Sequence, residues 1–277
     1  MAATLNIVGA GHVGRVLGRL FAARGIFSVQ DVLTRGSDSA RAAVAFIGAG
    51  QAANGAAGLR AAQVWMLAVP DDRIGAAAAM LAAALPLQGA VVFHCSGAKA
   101  SDELAALRQA GAFVASVHPV RSFADPDTVA AGFDGTFCGV EGDEEALALL
   151  LPAFEAIGAR PVRIAAAAKT VYHAASVFAS NYLVTVLDAA LRAYQAAGVP
   201  PDVARELARP LASESLANVF RLGPETALSG PIARGDAATV ARQQAAVAAW
   251  DGPSGALYEA LAAATWDLAR RKREGAA

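Results

Sequence analysis

The stretch Asn6–Arg19, NIVGAGHVGRVLGR, constrains this chain more than any other. Ile7 and Val8 end a short apolar run. Gly9, Gly11 and Gly14 follow at the GxGxxG spacing, and Val13, Val16, Leu17 and Leu20 continue at helical spacing. Strand, glycine turn and helix together form the context in which this spacing binds a dinucleotide. Gly9 permits the tight turn, Gly11 lets a pyrophosphate approach the backbone, and Gly14 lets the helix lie close to the strand. The free N–H groups at the helix start then face the phosphates. The expected cofactor contacts here are Gly9, Ala10, Gly11, His12, Val13 and Gly14. A glycine turn that binds nothing is the plain alternative, and the flanking strand and helix weigh against it.

The next strand is expected at Val29–Leu33, followed by Thr34, Arg35, Gly36 and Ser37. The tip of this second strand, about 20 residues past the glycine turn, selects the cofactor. An acidic residue there would bind the ribose hydroxyls of NAD. Arg35 occupies the tip instead, with the Thr34 and Ser37 hydroxyls beside it, and a planar guanidinium suits a 2′-phosphate. NADP is therefore favoured over NAD. Asp31 and Asp38 are the competing acids. Asp31 falls too early, and Asp38 reads as the cap of a helix over Ser39–Phe46.

The GAG letters recur at Gly48-Ala49-Gly50, but after a helix, so they read as a helix stop. Gln63–Val69 is a buried strand ending at Pro70, and Val69 and Pro70 line the cofactor crevice. Further strands are expected at Ala90–Phe93, Phe113–Val117, Thr136–Val140 and Pro161–Ile164, with a helix over Asp143–Ile157. Strands alternating with helices predict an α/β fold: an N-terminal Rossmann, doubly wound, mainly parallel sheet. Ligands then bind beyond the carboxyl ends of the strands, where Pro70, Ser96 and His118 fall. After Ile164 the strand signal stops. Helices are expected over Ala166–Ala197, Asp202–Arg221, Ala237–Trp250 and Gly255–Arg271. The reading is a nucleotide-binding domain over 1–165 and an all-helical substrate and dimerisation domain over 166–277.

Lys+Arg is 23 and Asp+Glu is 24, a balance with no electrostatic footprint for nucleic acid or an anionic membrane. The two cysteines, Cys95 and Cys138, show no framework spacing, which suits a reducing, cytoplasmic setting. No charged segment followed by an apolar core marks a signal peptide. The mean hydropathy of +0.41 reflects alanine. The longest uncharged run, Thr170–Leu187, includes His173, Ser176, Ser180 and Asn181, and reads as a buried helix rather than a membrane span. The four histidines are scattered and no HxH, HExxH or CxxC spacing occurs, so no metal site is expected.

Lys169, His173, Ser176 and Ser180 fall within an arc of roughly 60° on the first C-terminal helix. A solvated face would carry more charge than this stripe does. A lysine facing the crevice can give a proton to a carbonyl that receives hydride, or take one from an alcohol, and so can a histidine. Lys169 and His173 are therefore the candidate catalytic groups. Ser96, His118 and Asn181 are the candidate substrate contacts. Asp236 reads as an N-cap for the helix that follows it.

The chain resembles a bacterial Rossmann-like family with a C-terminal helical domain of unknown function, often labelled deazaflavin-dependent NADP oxidoreductase-like. The resemblance rests on VGAGHVG, VPDDRI, HCSGA, SVHPVRSF, YHAASVFASNYLV and SGPIARGD, and spans nearly the whole chain. More distantly the chain is similar to ketopantoate reductases and β-hydroxyacid dehydrogenases. Those place a catalytic lysine on the first helix after the nucleotide domain, with an asparagine four residues later. Lys169 matches the lysine, whereas His173 stands where the asparagine would be. The resemblance implies a homodimer through the helical domains. A deazaflavin coenzyme follows only from the family label.

The leading reading is an NADP(H)-dependent oxidoreductase for a small carbonyl, hydroxy or imine substrate. The alternative is a non-catalytic NADP-binding sensor or regulatory dimer, which would share the fold.

Overall fold

The structure is a computed structural model and describes residues 1–275. The chain runs β1 (Ala3–Val8), α1 (His12–Ala23), β2 (Phe27–Leu33), α2 (Ser37–Ile47), β3 (Gln51–Ala52), β4 (Val64–Leu67) and α3 (Ile74–Ala84). It continues with β5 (Val91–His94), α4 (Ala105–Gln109), β6 (Phe113–Pro119), α5 (Pro126–Ala131), β7 (Phe137–Gly142), α6 (Glu144–Ala156) and β8 (Arg160–Arg163). The helices that follow are α7 (Lys169–Val177), α8 (Leu183–Ala196), α9 (Pro201–Leu222), α10 (Pro224–Ala227), α11 (Gly230–Ala233), α12 (Ala237–Trp250) and α13 (Gly252–Glu274).

All eight strands form one sheet in the order β3-β2-β1-β4-β5-β6-β7-β8. Strand β1 sits between β2 and β4, as the doubly wound topology requires, and its pairs with both are parallel. Helices cover both faces, so the central strands are apolar throughout: Val64, Trp65, Met66 and Leu67 are all buried. One core lies between the sheet and α1, α2 and α6, around Phe21, Phe93 and Phe154. The other lies on the opposite face, around Trp65, Ile74 and Leu81.

The sheet is mainly parallel, as expected, and its one antiparallel pairing decides where the candidate site lies. Strand β7 pairs with β6 antiparallel, matching Ser116 with Glu141 and His118 with Gly139. Strand β8 then pairs with β7 in parallel, so it also runs backwards with respect to β1–β6. The helix that follows β8 therefore starts below the carboxyl edge of the main sheet and climbs towards it. An all-parallel sheet would have released that helix at the edge itself.

The helices of the sheet end close to the expected boundaries. Gly48 closes α2 in the left-handed conformation, at φ 78°. The expected capping role of Asp38 is not what the fold uses: α2 begins at Ser37 with Gly36 as its N-cap, and Asp38 pairs with Arg41 inside the first turn.

The chain divides into two compact units, Met1–Val177 and the residues from Phe178 onward. The first unit extends past the expected boundary at 165 because α7 packs on the β6–β7 edge. The expected single helix over 166–197 is a 3₁₀ turn (Ala166–Ala168), α7, a π-helical turn (Phe178–Tyr182) and α8. By length and composition alone, the helical run Ala166–Ala196 could cross a membrane. It is not the buried helix expected from its composition: Val171 is 76% exposed and Val184 is 67% exposed. Its first turn is nonetheless committed to the sheet through the buried Lys169. In the second unit, α12 and α13 pack around Ile232, Val240, Ala262 and Ala269. Asp236 caps α12 as expected, accepting from the Thr239 N–H at 3.0 Å.

Candidate active site

The glycine turn has the form a dinucleotide needs. Gly9 adopts φ +85°, and a Cβ there would stand 2.6 Å from the Ala68 carbonyl oxygen. A Cβ on Gly14 would stand 2.7 Å from the Gly9 carbonyl oxygen, so only glycine lets α1 lie this close. Gly11 has open space where its Cβ would be, and it caps α1 without any side-chain hydrogen bond. The first N–H groups of α1 are left for an anionic ligand. His12 and Val13 open that helix. Val69 and Pro70 follow β4, next to β1 in the sheet.

At the tip of β2, Arg35 is exposed and makes no hydrogen bond or ion pair among the described residues. The Thr34 hydroxyl donates to the Gly36 carbonyl at 2.8 Å, which shapes the turn around the guanidinium. Ser37 is exposed beside it. Asp31, the rival acid, is buried inside β2. Its carboxylate accepts from the Arg60 backbone N–H at 2.8 Å and from the Arg60 guanidinium at 2.6 Å. Burial alone would raise the Asp31 carboxyl, but the Arg60 hydrogen bonds and charge hold it below its usual range. It is a structural acid, not a ribose ligand. The turn and the tip together fit a dinucleotide that carries a 2′-phosphate.

Further along the carboxyl edge, β5 and β6 deliver the remaining candidates. His94 is fully buried at the end of β5. Its Nε2 pairs with the Ala100 carbonyl at 3.0 Å, and its Nδ1 accepts from the Ser96 N–H at 3.2 Å. Burial, with the charge of Lys169 adding to it, pushes this imidazole down to about 4. Ser96 is turned into its own loop: its hydroxyl oxygen accepts from the N–H groups of Ala98 and Lys99 at 3.2 and 3.0 Å. Cys95 is half-buried against the core, and burial drives its thiol well above the ordinary range.

His118, near the end of β6, is the centre of an aromatic cluster. Its Nδ1 lies 3.1 Å from the Tyr172 hydroxyl, and the two rings meet edge to face. The His173 ring is 5.7 Å from the His118 ring. Two glycines make room. A Cβ on Gly97 would stand 2.3 Å from His173 Cδ2 and 2.7 Å from His118 Nε2, and one on Gly139 would stand 2.3 Å from the Tyr172 hydroxyl. Burial, then the charges of Lys169 and His173, pushes His118 down to about 4, so its ring is neutral at pH 7. With the Tyr172 hydroxyl as the donor, the neutral ring accepts at Nδ1 and carries its proton on Nε2. Burial raises the Tyr172 hydroxyl, which keeps it protonated as the donor.

Lys169 is brought near this cluster but not into it. It is 1% exposed, donates to the Ser116 hydroxyl, and pairs with Glu141 at 3.7 Å. Burial lowers the ammonium, and Glu141 opposes that. Asn181 belongs to the second unit. It is exposed, and its side-chain oxygen accepts from the Ser180 hydroxyl at 2.9 Å.

Tyr172, Glu141, Gly97 and Gly139 were not singled out from the sequence. Two signals were there. Glu141 is an acid inside an apolar strand, which demands a buried partner. Gly139 is a glycine in a strand interior, which marks a close approach.

Residues 2–119 match the family model of a Rossmann-like domain, and residues 136–265 match that of a domain of unknown function, DUF2520. The chain belongs to the Rossmann-like proteins that carry a DUF2520 domain. The DUF2520 match begins where the sheet reverses into β7, so it contributes Glu141, Lys169, Tyr172 and His173 to the site, while the Rossmann-like part contributes the glycine turn, Gly97 and His118. Among solved structures, a Thermotoga maritima protein is 28% identical, with 98% of this chain and 100% of that chain covered and a TM-score of 0.76. A candidate NADP oxidoreductase from Bacteroides fragilis is 19% identical over 96% of this chain and 98% of its own, at TM-score 0.77. A reductive aminase from Aspergillus terreus, in complex with NADPH and ethyl-5-oxohexanoate, is 17% identical over 99% and 95%, at TM-score 0.68. No curated protein matches the chain by sequence.

Proposed function

We propose that the chain is an NADP(H)-dependent oxidoreductase for a small carbonyl, hydroxy or imine substrate. The carrying observation is the placement, on one edge of one sheet, of the bare glycine turn at the end of β1 and the His118–Tyr172–His173 cluster at the end of β6. The relatives named for NADP or NADPH chemistry support this reading. Bound on the glycine turn with its 2′-phosphate at Arg35, the cofactor would supply or take the hydride. In the reducing direction hydride adds to the carbon of C=O or C=N, and a proton from the His173 ring goes to oxygen or nitrogen. Oxidation reverses both transfers. His118, held neutral, offers Nε2–H as a hydrogen-bond donor, and the Tyr172 hydroxyl fixes that tautomer from the other side.

The test is NADPH consumption against a panel of small ketones, aldehydes and cyclic imines. Turnover should fall about 100-fold or more in His173→Phe while NADPH binding is kept. Full turnover in that variant would remove His173 from the role. NADPH binding without consumption against any member of the panel would favour the sensor reading.

The second unit is proposed to pair two copies of the chain. Val203, Leu207 and Leu211 follow one another at i, i+4 spacing along α9, and all three are exposed in the single chain. An apolar stripe of this kind is stable in water when a second copy covers it.

A further inference from the structure

The groups beneath the aromatic cluster form a closed polar chain. Glu141 is 6% exposed and Lys169 is 1% exposed. Besides Lys169, the Glu141 carboxylate accepts from the Ser101 N–H at 2.8 Å and from the Ser101 hydroxyl at 2.7 Å. Lys169 donates onward to the Ser116 hydroxyl, which lies 3.4 Å from the Ser96 carbonyl. Among the described residues, no fully buried side-chain nitrogen or oxygen lacks a partner. Burying two ions costs several kcal/mol each unless they meet each other. This pair is therefore tied to its place.

The register shows what the pair holds. Ser116 faces Glu141 across the β6–β7 ladder, and two residues on His118 faces Gly139. Residues two apart on a strand share a face and lie about 6.6 Å apart. One turn of helix rises about 5.4 Å. Lys169 docks on the Ser116–Glu141 rung. One turn later, Tyr172 and His173 arrive at the His118–Gly139 rung.

We infer that Glu141 and Lys169 are positioning residues, a single buried ion pair that sets α7 on the β6–β7 edge so that Tyr172 and His173 meet His118. The lysine is thus a strut under the reacting groups and not a proton carrier. The inference deepens the oxidoreductase reading of this site, but its ring-geometry readout does not need that reading to hold.

Three variants of the full chain test it: Glu141→Gln, Lys169→Met, and the two combined. Glutamine keeps the Ser101 N–H bond through its amide oxygen and reverses the other, its amide N–H donating to the Ser101 hydroxyl oxygen, so the combined variant buries no charge. The groups facing His118 are Tyr172, His173 and Lys169 from α7, Gly97 from the loop after β5, and Asp71 from the turn after β4, which acts through its charge. In Lys169→Met the uncompensated carboxylate should lower Tm by about 5 °C or more. It should also raise the His118 titration midpoint, read by NMR of labelled histidine, by about one unit. Glu141→Gln should move the His118 and His173 ring resonances with a smaller loss of Tm. The combined variant should regain Tm, since it buries no charge, but its ring resonances should stay displaced and its turnover low, since neither partner of the strut remains.

Ring resonances unchanged in either single variant would overturn the inference, whether or not any substrate is turned over. So would a combined variant whose rings recover while its turnover stays at the Lys169→Met level, because the lysine would then be carrying the proton. If Lys169→Met does not fold, the Glu141→Gln and combined variants decide by the same ring readout.

Discussion

A methyl group on Gly97 would stand 2.3 Å from Cδ2 of His173, closer than any real contact allows. The loop after β5 is therefore cut to the shape of a side chain on α7. Gly97→Ala should displace His173, His118 or both. Turnover is expected to fall about 100-fold through misplacement of the proton donor. The overpacking should cost about 1–3 kcal/mol of stability. NADPH affinity should stay within a factor of about two, since the glycine turn on β1 is untouched. Kinetics paired with fluorescence titration of NADPH check this, and a fully active Gly97→Ala would refute the crowding argument.

Arg35 stands without a partner among the described residues at the tip of β2, whereas Asp31 is fully engaged by Arg60. Arg35→Asp should weaken NADPH binding about 10- to 100-fold, the loss of a charge-assisted contact, and should favour NADH. Arg60→Ala should behave oppositely. It should lower Tm by exposing Asp31 to unpaired burial while leaving the NADPH to NADH preference unchanged. Isothermal titration with both nucleotides separates the two. A wild-type chain that binds both equally would remove Arg35 from the selecting role.

The buried His94 makes stability depend on pH. The unfolded imidazole takes a proton near 6.5, and the folded one only near 4. Between those values the unfolded state holds more protons, so stability falls as the pH drops from about 6.5 towards 4 and is fully present above 6.5. The contribution from His94 is about 3 kcal/mol across that window. Denaturant midpoints measured from pH 7.5 to 4.5 should decline, and the His94 ring should not titrate by NMR until below pH 5. A ring that titrates near its ordinary value would show that His94 is not held neutral.

The stripe of Val203, Leu207 and Leu211 should make the chain a dimer in solution. Light scattering should give twice the chain mass for wild type and the chain mass for Leu207→Glu combined with Leu211→Glu. A wild-type monomer at micromolar concentration would leave the stripe unexplained by self-association.

Most of the sheet was legible in the sequence because each strand carries its own local signal. The apolar runs ending at Val8, Leu33 and Leu67 and the punctuating Gly9, Gly48 and Pro70 suffice to place them. The direction of a strand has no such signal. Nothing local in Phe137–Gly142 distinguishes a strand paired antiparallel with β6 from one paired in parallel. An all-parallel sheet would put Lys169 at the crevice, and the reversal of β7 and β8 puts it one helical turn below. His173 was legible because it shares a helix face with Lys169. Tyr172 was not, since its role depends on Gly139, a residue brought to it only by the same reversal.

The four alanines Ala165–Ala168 join β8 to α7 and are exposed, with little to hold them. Their identity is therefore cheap, but their number is not. A residue inserted into this 3₁₀ turn would shift the start of α7 by about 2 Å and turn it by about 120°, parting Lys169 from Glu141 and Tyr172 from His118 in one step. The connection acts as a ruler: it should accept almost any polar substitution while refusing a change in length, so that drift in this protein's relatives would show as altered letters and constant spacing.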